Sequence, residues 1–247
     1  MLQYERWELL LQLLQKKKTA TIRELAAALY VSEASVRRDI ERLEGRGLVR
    51  KIYGGVMLAD AVGGVIPVSI RDGDHSAAKE EIARRAAALI SDGDTVIMDA
   101  SSTVRRMVKH LRHLRGVTII TNNVKLLQDA VDSGISEHIR IYGSGGILLP
   151  EDHAFAGPAA EAFLRGINAD LLFFSSLCLS DDGEISDPSE IETSLRRVML
   201  ERAHRRYFLC DASKFGTRAA FTLCHRDALT GILSDAPLPW EDNPKKP

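Results

Sequence analysis

Apolar positions open the chain at helical spacing. Tyr4, Trp7, Leu10, Leu11 and Leu14 share one side of a turn of about 3.6 residues, which predicts an amphipathic helix over 3–15 that Lys16–Lys18 close. Thr21 with Glu24 three residues on is a capping box: the Thr hydroxyl accepts from the Glu24 backbone and the carboxylate reaches back. It starts a second helix with Ile22, Leu25, Ala26 and Leu29 on one face. Ser32 caps a third helix that runs to about Glu44. The short link Tyr30-Val31-Ser32 makes the last two a helix-turn-helix pair. At about 100° per residue, Val36, Ile40 and Leu43 form the buried stripe of the third helix. Arg38 points away from it with Ala34 and Glu41, and Ser35, Arg37 and Arg42 flank that outer face. Asp39 falls nearer the buried side, where it orients a neighbouring Arg. Leu48–Ile52 and Val56–Leu58 read as strands around Tyr53-Gly54-Gly55, whose glycines permit positive φ. This basic hairpin is a wing, with Arg50 and Lys51 as its contacts. Residues 59–69, small and Gly/Pro-bearing, read as a linker.

The pattern then changes. Residues 77–90 predict a helix with Ile82, Ala83, Ala86, Leu89 and Ile90 on one side. Six apolar β-runs follow: Thr95–Met98, Val117–Ile120, Ile139–Tyr142, Ala169–Leu177, Tyr207–Cys210 and Gly231–Ser234. Helical spacing separates them, with Val104, Met107, Val108 and Leu111 inward in one segment and Val124, Leu127, Ala130 and Val131 in the next. A long helix spans Pro188 to His204. Such alternation implies an α/β unit built on a doubly wound, mostly parallel sheet. The organisation is therefore a winged helix-turn-helix over 1–58, a linker over 59–69, an α/β unit over 70–235, and a Pro-rich charged tail over 236–247 that is expected to fray.

Composition narrows the class. Hydrophobic residues are 45% and charged residues 27% of 247, which fits a globular chain and excludes collagen-like or wholly disordered ones. No apolar run approaches the roughly 20 residues that span a bilayer, so no membrane association is expected. Glu5, Arg6 and Glu8 interrupt the first apolar stretch, unlike a signal peptide. Cys178, Cys210 and Cys224 lack CxxC spacing and sit in or beside apolar runs, as buried reduced thiols do. The seven His show no zinc spacing, and His110 and His113 read as surface residues. Gly143-Ser144-Gly145-Gly146 precedes Ile-Leu-Leu-Pro rather than a helix and does not complete a dinucleotide fingerprint. No metal or cofactor is expected.

The net charge of −1 conceals an asymmetry. The first 58 residues hold 11 Lys/Arg and 7 acids, a net +4, against −5 for the remainder. A basic head on an acidic body fits a polyanionic partner for the head. Arg presents a fork of donors matched to phosphates and guanine edges. Ser32, Ser35, Arg37, Arg38, Arg42, Arg50 and Lys51 are accordingly candidate contacts to double-stranded DNA. The competing account is a solvated helix face with pairs such as Arg37–Glu41. In the body, ligands of doubly wound sheets bind outside the carboxyl ends of the strands. Polar residues cluster there, at Asp99–Thr103, Thr121–Asn123 and Asp211–Lys214. Ser101, Ser102 and Thr103 stand at a predicted helix N-terminus, where free N–H groups favour an anion, although plain capping explains them as well. Asp99, Asn122 and Asp211 suit sugar hydroxyls, and Lys214 suits a phosphate.

Several segments together resemble one family. TIRELAAALYVSEASVRRDIERLEGRGLVRKIYGGVML, at 21–58, is similar to the N-terminal signature of DeoR-type bacterial transcriptional regulators, and SEASVRRDIERLE matches their recognition-helix block. IRDGDHSAAKEEIARRAAALISDGDTVIMDASST resembles the start of their sensor domain. TNN at 121–123, the Gly-rich turn at 143–146 and CDASKFG at 210–216 follow in order, so the resemblance covers about residues 3–235. It implies a winged helix-turn-helix joined to a sensor domain resembling the sugar-phosphate isomerase fold. The implied protein is a cytoplasmic repressor of a carbohydrate-metabolism operon, released or tightened by a phosphorylated sugar or related metabolite. By residue, the resemblance puts Lys79, Asp99, Ser101, Ser102, Thr103, Asn122, Asp211 and Lys214 at the effector, and Arg71 in support of the site or of an interface. Where the family has Gly-Gly-Thr-Thr this chain has Ala100-Ser101-Ser102-Thr103, and Arg196 stands in place of a Lys, which points to an altered ligand or a weakened sensor. One head offers little contact for operator specificity, so a homo-dimer or tetramer is expected. Two other readings stay open. One is a sugar-phosphate isomerase-like enzyme using Asp99, Asp211 and Lys214 as acid-base groups. The other is a winged helix that meets an acidic protein.

Overall fold

The computed structural model describes residues 3–45, 48–59, 75–150 and 152–241, and the chain divides into two units, 1–71 and 72–247. Most of the expected linker, Arg71, and the tail beyond residue 241 lie outside the described residues.

In the first unit, α1 spans Gln3–Lys17, β1 Thr19–Ala20, α2 Ile22–Leu29, α3 Glu33–Gly45, β2 Val49–Ile52 and β3 Gly55–Leu58. The predicted stripes meet in one core of Leu10, Leu11, Leu14, Leu25, Leu29, Val36, Ile40 and Leu43, closed by Ala20, Val49 and Val56. The side chain of Tyr4, the first member of the expected stripe, lies outside the described ones. The capping box forms, with Glu24 N–H donating to Thr21 Oγ1 at 3.1 Å and Thr21 N–H to Glu24 Oε2 at 2.8 Å. β1, too short to carry an alternation, adds a third strand that pairs antiparallel with β3. Its approach explains Gly55, where a Cβ would stand 2.6 Å from the Ala20 carbonyl oxygen. Gly54 holds φ +86° at the hairpin tip, the conformation glycine adopts without strain.

The second unit runs α4 Ser76–Ala87, β4 Thr95–Met98, α5 Ser102–Arg105, β5 Thr118–Thr121, α6 Val124–Asp132, β6 Arg140–Gly143, β7 Ile147–Leu149, β8 Ala154–Ala156, α7 Pro158–Arg165, β9 Ala169–Phe174, β10 Cys178–Leu179, β11 Glu184–Asp187, α8 Glu190–Arg202, β12 Ala203–Leu209, β13 Phe221–His225 and β14 Gly231–Leu233. Its six-stranded sheet has the order β14-β12-β9-β4-β5-β6, with every neighbouring pair parallel. Strand alternation divides the core. Val96, Met98, Ile119, Leu171 and Phe173 pack with α4, α5 and α6, whereas Ile97, Ile120, Leu172, Phe174 and Phe208 pack with α7 and α8. Helices cover both faces, as a doubly wound sheet requires.

Several boundaries differ from the sequence reading. The apolar run at 169–177 breaks after Phe174, and Cys178–Leu179 joins a separate antiparallel sheet β10-β11-β13. The long helix ends at Arg202 because Ala203 already pairs with Ala169 in the main sheet. The helix after Ser101 lasts one turn and tightens into a 3-10 turn over Arg106–His110, though Val104, Met107, Val108 and Leu111 are buried as expected. Val131, expected inward, is 65% exposed. The buried side of α6 is centred on Leu126 and Ala130, and Val131 lies about 100° round from Ala130. Of the three cysteines only Cys210 is fully buried. Residues 236–241 do not fray: Leu238 and Trp240 pack on the core, and the Arg226 guanidinium lies 4.4 Å from the Trp240 ring. Among the described residues no helix is long and apolar enough to cross a membrane, and no group of His, Cys, Asp and Glu is set to hold a metal ion.

Candidate functional site

α3 divides its side chains as its stripe predicts. Val36, Asp39, Ile40 and Leu43 are buried, and Arg37, Arg38 and Arg42 are exposed. Ser32 is exposed and accepts from Ser35 N–H at 3.2 Å, so the capping hydroxyl sits at the start of the same outer face. Arg37 makes a loose pair with Glu33 at 3.4 Å rather than with Glu41, and Arg38 Nε lies 3.4 Å from the Ala34 carbonyl. Both guanidiniums remain in solvent. On the wing, Arg50 is exposed beside Met57 Sδ at 3.4 Å, whereas Lys51 pairs with Glu44 at 2.8 Å and is tied back to the end of α3. Tyr53, at the hairpin tip, is fully exposed.

Asp39 sets the roll of α3. Its carboxylate is 1% exposed and accepts from Arg6, from Trp7 Nε1 at 2.8 Å and from Gln3 Nε2 at 3.4 Å, all on α1. The Arg that Asp39 orients thus comes from another helix, which local spacing does not reveal. Burial pushes the Asp39 carboxyl up, but hydrogen bonds from Arg6, Trp7 and Gln3 and the Arg6 charge outweigh it and hold the group below the usual carboxylate range.

In the second unit the strand order places a topological switch between β4 and β9, because β5 and β6 extend the sheet one way and β12 and β14 the other. The crevice at such a switch is where ligands enter open α/β sheets. Asp99 follows β4 there, but the protein itself occupies its carboxylate. It accepts from Ser101 N–H at 3.0 Å, Ser175 N–H at 3.2 Å and Arg196 Nε at 3.0 Å. Arg196 is buried and reaches Asp187 at 3.1 Å and Glu192 at 3.2 Å as well. Burial alone would lower the guanidinium pKa, and the three carboxylates reverse that and raise it. Ser101 caps α5 by accepting from Val104 N–H at 3.1 Å, so part of the hydroxyl run does ordinary capping. Ser102 and Thr103 are buried beside it.

At the next strand end Asn122 donates from Nδ2 to Phe155 O at 2.9 Å, and its Oδ1 is buried with no hydrogen-bond partner among the described residues. On the other side, Asp211 follows β12, is buried, and accepts from Ser213. Burial pushes its carboxyl up, yet the Ser213 hydrogen bonds and the charges of Lys214, Lys79 and His75 bring it below the ordinary value. Lys79, Asp211 and Lys214 are thereby brought together, with Lys79 itself buried. Sequence reasoning missed His75 and the Arg196 network. Only the Glu192–Arg196 spacing of four residues hinted at the latter. A surface cleft lined by Ser180, Asp181, Asp182, Gly216 and Arg218 shares no residue with this group, and its Arg218 and Asp182 neutralise each other at 2.7 Å.

Residues 6–62 match the DeoR-like helix-turn-helix domain, and residues 74–236 match the DeoR C terminal sensor domain. The lactose phosphotransferase system repressor of Staphylococcus aureus is 30% identical over 98% of this chain and 94% of its own. YulB of Bacillus subtilis, described as an uncharacterized HTH-type transcriptional regulator, is 29% identical over 96% of this chain and 91% of its own. Among solved structures, ribose 5-phosphate isomerase A from Methanocaldococcus jannaschii aligns with a TM-score of 0.40 at 15% identity, over 56% of this chain and 53% of that one. A helix-turn-helix head followed by a doubly wound sensor unit defines a DNA-binding transcriptional regulator rather than an enzyme. The chain belongs to the DeoR family.

Proposed function

We propose that this protein is a cytoplasmic repressor of a carbohydrate-metabolism operon whose operator binding is set by a phosphorylated sugar or related metabolite. Residues 1–58 form the DNA-binding domain, 59–69 the linker and 70–235 the sensor, with 236–241 docked on the sensor. The observation that carries the reading is the division of α3, which buries Val36, Ile40 and Leu43 and leaves Arg37, Arg38 and Arg42 in solvent. In this reading Arg37, Arg38 and Arg42 meet phosphates or base edges in the major groove, with Ser32 and Ser35 at the helix start and Arg50 and Lys51 along the backbone. Two or four copies supply repeated half-sites.

The sensor reading draws support from Asn122. A buried acceptor without a donor is uncommon in a folded protein, and a ligand hydroxyl supplies the donor. Lys79 and Lys214 around Asp211 provide positive charge for a phosphate, with His75 beside them, and Ser102 and Thr103 offer hydroxyls. Asp99 acts by holding the loop at 99–103 rather than by reaching the ligand. The effector changes repression through its different affinity for DNA-competent and DNA-incompetent states. The likeness to the lactose phosphotransferase system repressor of Staphylococcus aureus agrees with this sugar-linked role.

Thermal shift of the full chain against a panel of phosphorylated pentoses and hexoses tests the sensor. A true effector raises Tm by mass action, and Asn122→Ala abolishes that rise. A panel with no rise, or a rise that Asn122→Ala leaves intact, overturns the assigned pocket.

A further inference from the structure

Tyr30 is held in a conformation that its side chain disfavours. It terminates α2 with φ 55° and ψ 42°, in the left-handed region. The motif around it is a complete helix stop, with Tyr30 N–H donating to Ala27 O at 3.4 Å and Val31 N–H to Ala26 O at 3.1 Å. Glycine fills this position without strain and asparagine tolerates it, whereas a bulky aromatic residue there is an outlier. The ring offers no packing in return, because it is 95% exposed. A strained residue whose side chain contributes nothing to its own fold points to a partner outside it.

The surroundings identify that partner by its chemistry. Tyr30 stands three residues before α3, next to the exposed Ser32 and on the unit that carries a net +4 over its first 58 residues. Arg37, Arg38 and Arg42 project from the helix it precedes. A phenol is a neutral donor on a rigid stem, one of the groups that proteins aim at phosphate oxygens. Resting on the DNA-binding reading above, we propose that Tyr30 is a positioning contact to double-stranded DNA. Its hydroxyl donates to a backbone phosphate beside the start of α3 and fixes the depth at which the helix enters the groove. The contact carries no charge and reads no base, which gives it a signature distinct from that of the arginines.

The test uses the full-length chain and a fluorescein-labelled duplex that the wild-type protein selects from a random-sequence library, with a mixed-sequence duplex beside it. Tyr30→Asn is expected to raise Tm, because asparagine relieves the left-handed strain, and yet to weaken binding about tenfold. Tyr30→Phe loses the same affinity with no gain in Tm. Both losses are equal on the two duplexes and leave the slope of log Kd against log salt unchanged, since no charge is removed. Arg38→Ala, which removes a charge from the outer face of α3, serves as the reference for lost affinity. If Arg38→Ala weakens binding while both Tyr30 variants stay within about twofold of wild type, the Tyr30 contact is refuted and the DNA reading stands. If Arg38→Ala also binds like wild type, or the library yields no enriched duplex, the DNA reading falls and takes the Tyr30 contact with it.

Discussion

Arg38 shows what a single side chain does on this scaffold. Its helix neighbours Val36 and Ile40 are sealed in the core, so its own direction is fixed outward, and among the described residues its guanidinium makes one long contact, 3.4 Å from the Ala34 carbonyl. A guanidinium so placed is worth about 1–3 kcal/mol if it meets a base edge and one unit of salt slope if it meets a phosphate. Replacing Arg38 with Ala is expected to cut operator affinity about tenfold to a hundredfold. A gel-shift titration over a range of salt separates the two roles: a change confined to one base position marks readout, and a uniform loss with a shallower slope marks a phosphate. Local spacing revealed Arg38 and its direction because both follow from the helical repeat. It did not reveal that Lys51, equally basic, pairs with Glu44, since that pair joins a helix end to a strand.

Among the elements, α1 and α3 are joined by polar groups as well as by the leucine core. Asp39 accepts from three residues of α1, and Arg6 lies only partly in solvent. Because the Asp39 carboxyl is held below the unfolded value of about 3.9, its contribution is present above that pH and fades as pH falls through the lower, folded value. Asp39→Asn should therefore cost the first unit about 1.5–3 kcal/mol at neutral pH and flatten its loss of stability below about pH 4. Trp7 fluorescence during urea unfolding, in a Trp240→Phe background and at several pH values, reports both effects; an unchanged acid limb would refute the tie. The elements themselves were largely legible. The capping box, the stripes of α2 and α3 and the six main strands all rest on repeats within a few residues. β1, β7, β8 and β10 were not, because two- or three-residue strands have no period of their own; β11 and β13, of four and five residues, were passed over as well. Val131 was misplaced for a related reason, since the neighbouring core picks the side of a helix that is buried.

At the scale of the whole molecule, the sensor unit depends on contacts that cross large distances in sequence. Arg196 on α8 ties Asp99, 97 residues earlier, to Asp187 and Glu192, and thereby joins the end of β4 to α8 and β11. Beyond the Glu192–Arg196 spacing on α8, the sequence did not foretell this knot, because Asp99 and Asp187 come from other segments. Removing the guanidinium takes the shared positive charge from three buried carboxylates. Arg196→Met is therefore expected to destabilise the unit by about 3–5 kcal/mol, and Arg196→Lys, which keeps the charge but not the fork, by less. Thermal unfolding followed by near-UV circular dichroism measures the difference; two variants of equal stability would show that geometry plays no part.

The polar link from α1 to Asp39 has one more consequence. A reading helix already locked about its long axis meets the duplex with its donors aimed, so little ordering remains to be done at the moment of contact. Such a protein can sample many wrong sequences quickly and let each go, because rejecting a mismatch does not require it to remould its own surface.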